Sequence, residues 1–320
     1  MAGLAFRRFR GREDLPGMAA VRAACAAYDQ VDPLSVAQSV PTEADLQRAM
    51  LPSEKFDPSL DVLLVTMDEQ IIGYGSVVWW TEADGTWLYL SLGWVVPEWR
   101  QRGIGTAMLH WAEARSRILA AAHPTQGKAS FGANASETER DSTALLRNEG
   151  YRAPFSVLEM GLDDWSLVKE ALKGLPAGFV TRPLLPSDLP ALFRSMNECY
   201  TDHPFSEAEQ YQPWADKQQD LTTWHVAWDA QTGELAGQVQ ALLRKGVGEL
   251  EEVSVRAPYR GRGLARALIV RTLLAVRALG VPQVRLRTLS ENPQQAWRVY
   301  EKVGFRVLKR FPRYRKPIET

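Results

Sequence analysis

Two stretches of the chain alternate apolar and polar positions at period two, meet a proline, and pass through a glycine-bearing turn into an apolar helical stripe. In the later one, Glu249, Glu251, Val253 and Val255 share one parity, and Leu250, Glu252 and Ser254 share the other. Pro258 ends the alternation, Arg260, Gly261, Arg262 and Gly263 form the turn, and Leu264 and Ala265 open a run that continues to Leu279. The earlier stretch runs from Trp87 through Val95 to Pro97 and turns at Arg100, Gln101, Arg102 and Gly103. It then continues from Ile104 and Gly105 through Met108 and Trp111. Period two predicts a strand, and apolar residues three and four apart predict a helix, so each stretch reads as strand, turn, helix.

The rest of the chain repeats around these stretches. Phe6–Phe9 reads as a strand and Asp14 as the N-cap of the next helix; Val180–Pro183 and Asp188 recur in the same order, placing Arg8 on Arg182 and Cys25 on Cys199. Val62–Thr66 and Ile71–Trp80 predict a hairpin about Asp68 and Glu69, matched by Thr223–Trp228 and Leu235–Leu243. A short helix is expected over Glu43–Met50, and another over Asp164–Lys173. After the turns the copies diverge. The later copy has a strand at Val284–Thr288 and then a helix with Asn292 as N-cap, Pro293 at its first position and Gly304 at its end; the earlier copy has a short helix near Ser142–Glu149. Aligned on these landmarks, Leu146 falls on Tyr300, and Tyr89 and Ser91 fall on Glu249 and Glu251. Gly174, Pro176 and Gly178 punctuate a linker, so the expected domains are 1–165 and 177–320.

A length of 320 residues agrees with two domains, and a hydrophobic fraction of 45% is ordinary for a globular chain. No run approaches the about 18 apolar residues of a membrane span. The N-terminus carries no secretory pattern, and cytoplasm is the expected location. The 38 basic and 38 acidic residues cancel, which excludes the positive excess that general nucleic-acid or membrane-surface binding requires. Two cysteines fit a reducing compartment and read as buried thiols at equivalent helix positions.

The glycine turns carry the chemistry. The first NH groups of a helix have no internal partner and the helix dipole favours an anion, so each turn suits a pyrophosphate, with arginines adding charge. One such turn is generic, whereas two in a repeated context are informative. A nucleotide-triphosphate loop is excluded because no Gly-Lys-Ser/Thr triplet is present, and a dinucleotide fingerprint because no third glycine stands at Met108 or Arg266. Six of the 11 tryptophans lie between Trp79 and Trp111, where core packing explains them, and the four histidines show no metal spacing.

Both turns resemble the acyl-CoA binding motif of the GNAT superfamily of N-acetyltransferases. The resemblance implies two tandem α/β (α+β) GNAT-like domains, each a mixed, mainly antiparallel sheet flanked by helices. It implies acetyl-CoA as acyl donor and an amine as acceptor. Pyrophosphate contacts would come from Arg100, Gln101, Arg102, Gly103, Ile104 and Gly105, and from Arg260, Gly261, Arg262, Gly263, Leu264 and Ala265, at the ends of the strands closing at Val95 and Val255.

Acetyl transfer needs a neutral amine, a polarised carbonyl and a proton for the thiolate. The resemblance places the base on the strand bearing Glu249 and Glu251, and spacing does not choose between them. It makes Tyr300, four residues before Gly304 and Phe305, the proton donor, and gives Asn292 a pantetheine contact beside its capping role. Backbone NH groups near Val253 and Val255 would polarise the carbonyl. The expected activity is N-acetyl transfer to a primary amine of a small molecule by the C-terminal domain, the N-terminal one being catalytically degenerate. A protein or peptide acceptor and a noncatalytic acyl-CoA-binding module are the alternatives.

Overall fold

The computed structural model describes residues 3–123, 128–200, 210–218, 221–244, 246–292 and 295–319. The chain forms two compact units, residues 1–156 with 311–320, and residues 157–310. In chain order the elements up to the first crossing are β1 (Leu4–Arg8), α1 (Leu15–Tyr28), α2 (Glu43–Ala49), α3 (Pro58–Asp61), β2 (Val62–Met67), β3 (Gln70–Thr81) and β4 (Trp87–Val95). They continue with α4 (Ile104–Ala122), β5 (Ala129–Asn134), α5 (Arg140–Asn148) and β6 (Arg152–Leu162). Next come β7 (Phe179–Val180), α6 (Leu189–Tyr200), α7 (Tyr211–Ala215), β8 (Trp224–Asp229), β9 (Leu235–Arg244) and β10 (Val247–Val255). The chain ends with α8 (Leu264–Ala278), β11 (Val284–Leu289), α9 (Ala296–Glu301) and β12 (Arg306–Pro317).

The two sheets share one topology. In the first unit β1–β4 are successive antiparallel neighbours, β4 pairs with β5 in parallel, and Arg313–Pro317 of β12 runs antiparallel to β5. In the second, β7–β10 are successive antiparallel neighbours, β10 pairs with β11 in parallel, and Val157–Leu162 of β6 runs antiparallel to β11. Each sheet is therefore mixed and mainly antiparallel. Relative to the expected domains 1–165 and 177–320, the units exchange their last strands. The chain passes from one unit to the other within β6 and again within β12, and Gly174–Gly178 lies inside the second unit.

Alternation along the strands sorts the cores. On one face of the first sheet, Val62, Leu64 and Tyr74 pack with Leu15, Met18, Val21 and Cys25 of α1; on the other, Leu63, Val65, Ile72 and Val95 pack with Ile104 and Met108 of α4. The second unit repeats this with Val226 and Trp224 against Leu192 and Met196 of α6, and with Val239, Ala241 and Leu250 against Leu268 and Ile269 of α8. A fully buried aliphatic side chain contributes about 1.5–3 kcal/mol, so these alternating sets fix strand register.

Local chemistry explains the elements and corrects several expectations. Asp68 and Glu69 adopt φ of 48° and 69°, the turn that suits a two-residue hairpin. Thr42 and Asp45 form a capping box at α2. Asp14 does not cap α1 with its side chain; its carboxylate accepts from Arg7 (3.0 Å) and from the Arg10 NH (2.7 Å). Asp188 takes Arg182 in the same way (2.7 Å), so the counterpart of Arg182 is Arg7, not Arg8. The expected helix over Asp164–Lys173 is two 3₁₀ turns, at Trp165–Leu167 and Glu170–Lys173. The helix expected from Asn292 starts at Ala296 after Gln295 in a left-handed conformation (φ 49°); Pro293 lies outside the described residues.

Candidate active site

Both glycine turns fold alike. Each strand ends in a 3₁₀ turn, Pro97–Trp99 or Ala257–Tyr259, followed by an arginine in an extended conformation, Arg100 or Arg260. Left-handed residues follow at Gln101 and Gly103 (φ 59° and 81°) and at Gly261 and Gly263 (φ 75° and 84°). Only glycine adopts this region without strain, which accounts for Gly103 and Gly263. A Cβ at Gly103 or Gly261 would meet nothing within 4 Å, and neither α4 nor α8 has a side chain capping its N-terminus. Open space above uncapped helical NH groups fits a diphosphate.

The arginines are placed otherwise than the motif suggests. Arg100 and Arg260 each donate from Nε to the carbonyl that ends the strand, Val95 or Val255, at 2.9 Å. Arg100 also grips Asp29 with two hydrogen bonds of 2.7 Å and reaches Asp141 at 3.3 Å. Arg262 donates to the Ala177 carbonyl (3.1 Å) and covers the Phe179 ring, and Arg102 lies over Trp99. Arg100 and Arg260 thus brace the turns, and the groups left uncapped at α4 and α8 are backbone NH groups.

Beyond each parallel pair the strands part. Registered pairing of β4 with β5 ends at Ser91 opposite Ala133, and that of β10 with β11 at Leu250 opposite Leu286, while β4 and β10 stay paired on their other edges to Val95 and Val255. In the first unit a cavity of about 720 Å³ occupies this region, lined among others by Gly93, Val95, Gly103, Gly105, Asn134 and Leu145.

The second unit buries two reactive groups, Glu249 in the last paired stretch of β10 and Tyr300 in the core beneath α8. Glu249 of β10 is 2% exposed and lies 3.1 Å from Arg287 and 3.5 Å from Arg244. Burial pushes its carboxyl above the ordinary range, the neighbouring Glu251 pushes it further, and the two arginines oppose this. Tyr300 of α9 is buried against Phe305 in an edge-to-face contact, and burial, followed by the charge of Glu252, raises its phenol. Asn292 precedes this helix, its carbonyl accepting from the Gln295 NH at 2.8 Å.

The parity assigned to Glu249 and Glu251 is corrected by a β-bulge between Leu250 and Glu252. Two β10 residues there face one β9 position, so alternation shifts by one. Leu250 and Val253 face α8, whereas Glu249, Glu252 and Ser254 take the opposite face; Glu251 sits at the bulge, its side chain 3.4 Å from Arg287. Glu252, 5% exposed, is the residue that periodicity missed. In the first unit the matching positions carry no such set. Leu146 is core, strand pairing puts Leu90 and Leu92 at the positions of Glu249 and Glu252, and the hydroxyl of Tyr89, aligned with Glu249 by sequence, shares a 2.7 Å hydrogen bond with His123 Nδ1.

The model of the acetyltransferase (GNAT) family matches residues 29–124 and again 189–305. A mycothiol acetyltransferase from Thermobifida fusca (strain YX) is 27% identical over 233 residues, 67% of this chain and 70% of that protein. Among solved structures, a GCN5-related N-acetyltransferase from Sphaerobacter thermophilus superposes with a TM-score of 0.80 at 22% identity, covering 100% of this chain and 97% of that one. A tandem GNAT protein from the clavulanic acid biosynthesis pathway gives 0.66 at 18% identity, covering 99% of each. The twofold family match, on two units with one topology and one turn geometry, shows that this chain belongs to the GNAT acetyltransferase family, with a tandem arrangement.

Proposed function

We propose that the second unit transfers an acetyl group from acetyl-CoA to the primary amine of a small molecule. The observation that carries this reading is that the second unit holds a buried carboxylate, Glu249, on the strand entering its uncapped glycine turn at α8 and a buried phenol, Tyr300, on its last helix. Glu249 takes a proton from the ammonium group, its raised affinity making it a stronger base than an exposed carboxylate. Glu251 tunes that affinity and shares Arg287 with it. The nitrogen bonds to the thioester carbon, whose oxygen is held by backbone NH groups between Val253 and Val255. The C–S bond breaks, the thiolate takes the proton of Tyr300, and the second proton shed by nitrogen restores the phenol. In this reading Asn292, just before α9, contacts the pantetheine arm.

The first unit, with its cavity of about 720 Å³ but Leu146 and Leu90 in place of the acid and base, is read as an acyl-CoA-binding module without chemistry of its own. The resemblance to a mycothiol acetyltransferase favours a small-molecule acceptor over a protein or peptide. Calorimetric titration with acetyl-CoA, followed by thiol-release assays across an amine panel, tests the reading. Binding without thiol release for any amine would reduce the chain to a binding module.

A further inference from the structure

The internal repeat supplies its own control for the face of each sheet that packs on its first long helix. Gly73 pairs with Val95, and Gly237 with Val255, at the ends of equivalent hairpins. Counting back from these, Tyr74 opposite Trp94 corresponds to Gln238 opposite Ser254, and Ser76 opposite Leu92 to Gln240 opposite Glu252. On the helices, Val21 and Cys25 of α1 correspond to Ser195 and Cys199 of α6. Apart from Ser76, the first unit fills these positions with apolar and aromatic groups: Met18, Val21 and Tyr74 share one core cluster, and the Tyr74 and Trp94 rings lie 5.0 Å apart.

The second unit fills them with polar side chains. Gln238 is 0% exposed, Ser195 2%, Ser254 4%, and Gln240 and Glu252 5% each. They converge: Gln238 donates from Nε2 to the Leu192 carbonyl at 3.1 Å, one turn before Ser195, and Cys199, one turn after it, lies beside Glu252 and Ser254. Ser195 Oγ and Gln238 Oε1 find no hydrogen-bond partner among the described residues. An unmatched buried polar atom is costly to a fold, and water or a ligand that supplies the missing partner removes that cost. At the positions of Ser195, Gln238, Ser254 and Glu252 the first unit carries Val21, Tyr74, Trp94 and Leu92, so the fold itself does not require polar groups there. Glu252 and Ser254 also lie on the part of β10 that has left β11, beside the NH groups assigned above to the thioester carbonyl.

We infer that this polar face between α6 and β9–β10 is the acceptor site of the second unit, and that it selects a primary amine bearing hydroxyl or amide groups close to the nitrogen. Ser195, Gln238 and Ser254 take those groups, and Glu252 faces the ammonium. The inference rests on the transferase reading and adds the class of acceptor to it. A site whose buried polar atoms need partners rejects an analogue lacking them, because the atoms are then desolvated without compensation.

The experiment compares two primary amines of similar size, glucosamine and cyclohexylamine, in thiol-release kinetics with the full chain. Wild type should favour glucosamine in kcat/KM by at least about 100-fold. Replacing the polar pair by residues of first-unit character, Ser195→Val with Gln238→Leu, should raise the glucosamine KM at least about tenfold. The melting temperature should stay the same or rise, and calorimetric acetyl-CoA affinity should not change. Ser254→Ala, a smaller change, should move KM in the same direction. Equal kcat/KM for the two amines, no glucosamine turnover by an enzyme that binds acetyl-CoA and acetylates other amines, or an unchanged glucosamine KM in both variants overturns the assignment. Failure to release thiol with any amine overturns the transferase reading instead.

Discussion

Arg287 Nη2 lies 3.1 Å from Glu249 Oε1, joining a half-exposed cation to a carboxylate that is 2% exposed. Burial raises the carboxyl's proton affinity and Arg287 opposes it. Arg287→Ala should therefore raise it further and move the acid limb of the pH–rate profile to higher pH. Glu249→Gln should lower turnover at neutral pH by about 10²–10⁴-fold, with partial recovery at alkaline pH as the amine loses its proton unaided. An unmoved acid limb in Arg287→Ala would remove Glu249 from the role of base.

The same group gives a signed stability prediction. With its folded-state affinity raised, the folded chain binds the proton more tightly than the unfolded chain. Stability from this group is therefore present at low pH and falls as pH rises from the ordinary carboxylate range through the raised value. Urea unfolding across that window should show the decline in wild type and a flatter curve in Glu249→Gln.

Tyr300→Phe keeps the ring against Phe305 and removes only the hydroxyl. Turnover should fall by about 10²–10⁴-fold while acetyl-CoA affinity and melting temperature stay near wild type. Full turnover with chemistry shown to be rate-limiting would assign the proton to another donor.

Gly263 has φ 84° at the N-terminus of α8. Gly263→Asp places a side chain in a strained backbone region, at about 1 kcal/mol, and adds an anion where a diphosphate would bind. The acetyl-CoA stoichiometry should fall by the second unit's share, and catalysis should be lost. Gly103→Asp should remove the first unit's share and spare catalysis. Loss of catalysis with Gly103→Asp alone would move the working site to the first unit.

Arg315 of β12 lies 3.0 Å from Glu82, with side-chain exposures of 14% and 3%. Removing one partner of a buried pair leaves the other uncompensated, at about 3–5 kcal/mol. Arg315→Leu should destabilise the first unit on that scale in denaturant melts. Lys316→Met should cost less, because Glu113 keeps the Tyr151 hydroxyl at 3.1 Å and Arg117 at 3.3 Å.

The sequence by itself determined what depends on neighbours along the chain. The hairpin at Asp68 and Glu69, both glycine turns, the strands feeding them and the correspondence of the two halves follow from period-two alternation and from backbone conformations that few residues adopt. Tertiary structure decided three things that local pattern does not encode. The bulge at Leu250 and Glu252 inserts one residue against β9 and exchanges faces, so Glu252 and not Glu251 joins Glu249, an outcome set by pairing with a distant strand. The strand β12 carries Arg306, Lys309, Arg310, Arg313, Arg315 and Lys316, and the fold brings Asp163, Glu82 and Glu113 beside three of those charges, none of them a near neighbour along the chain. Arg100 and Arg260, which by charge alone belong to the phosphate, instead hold the strand-end carbonyls of Val95 and Val255, because a guanidinium satisfies whichever acceptor the fold places within its reach.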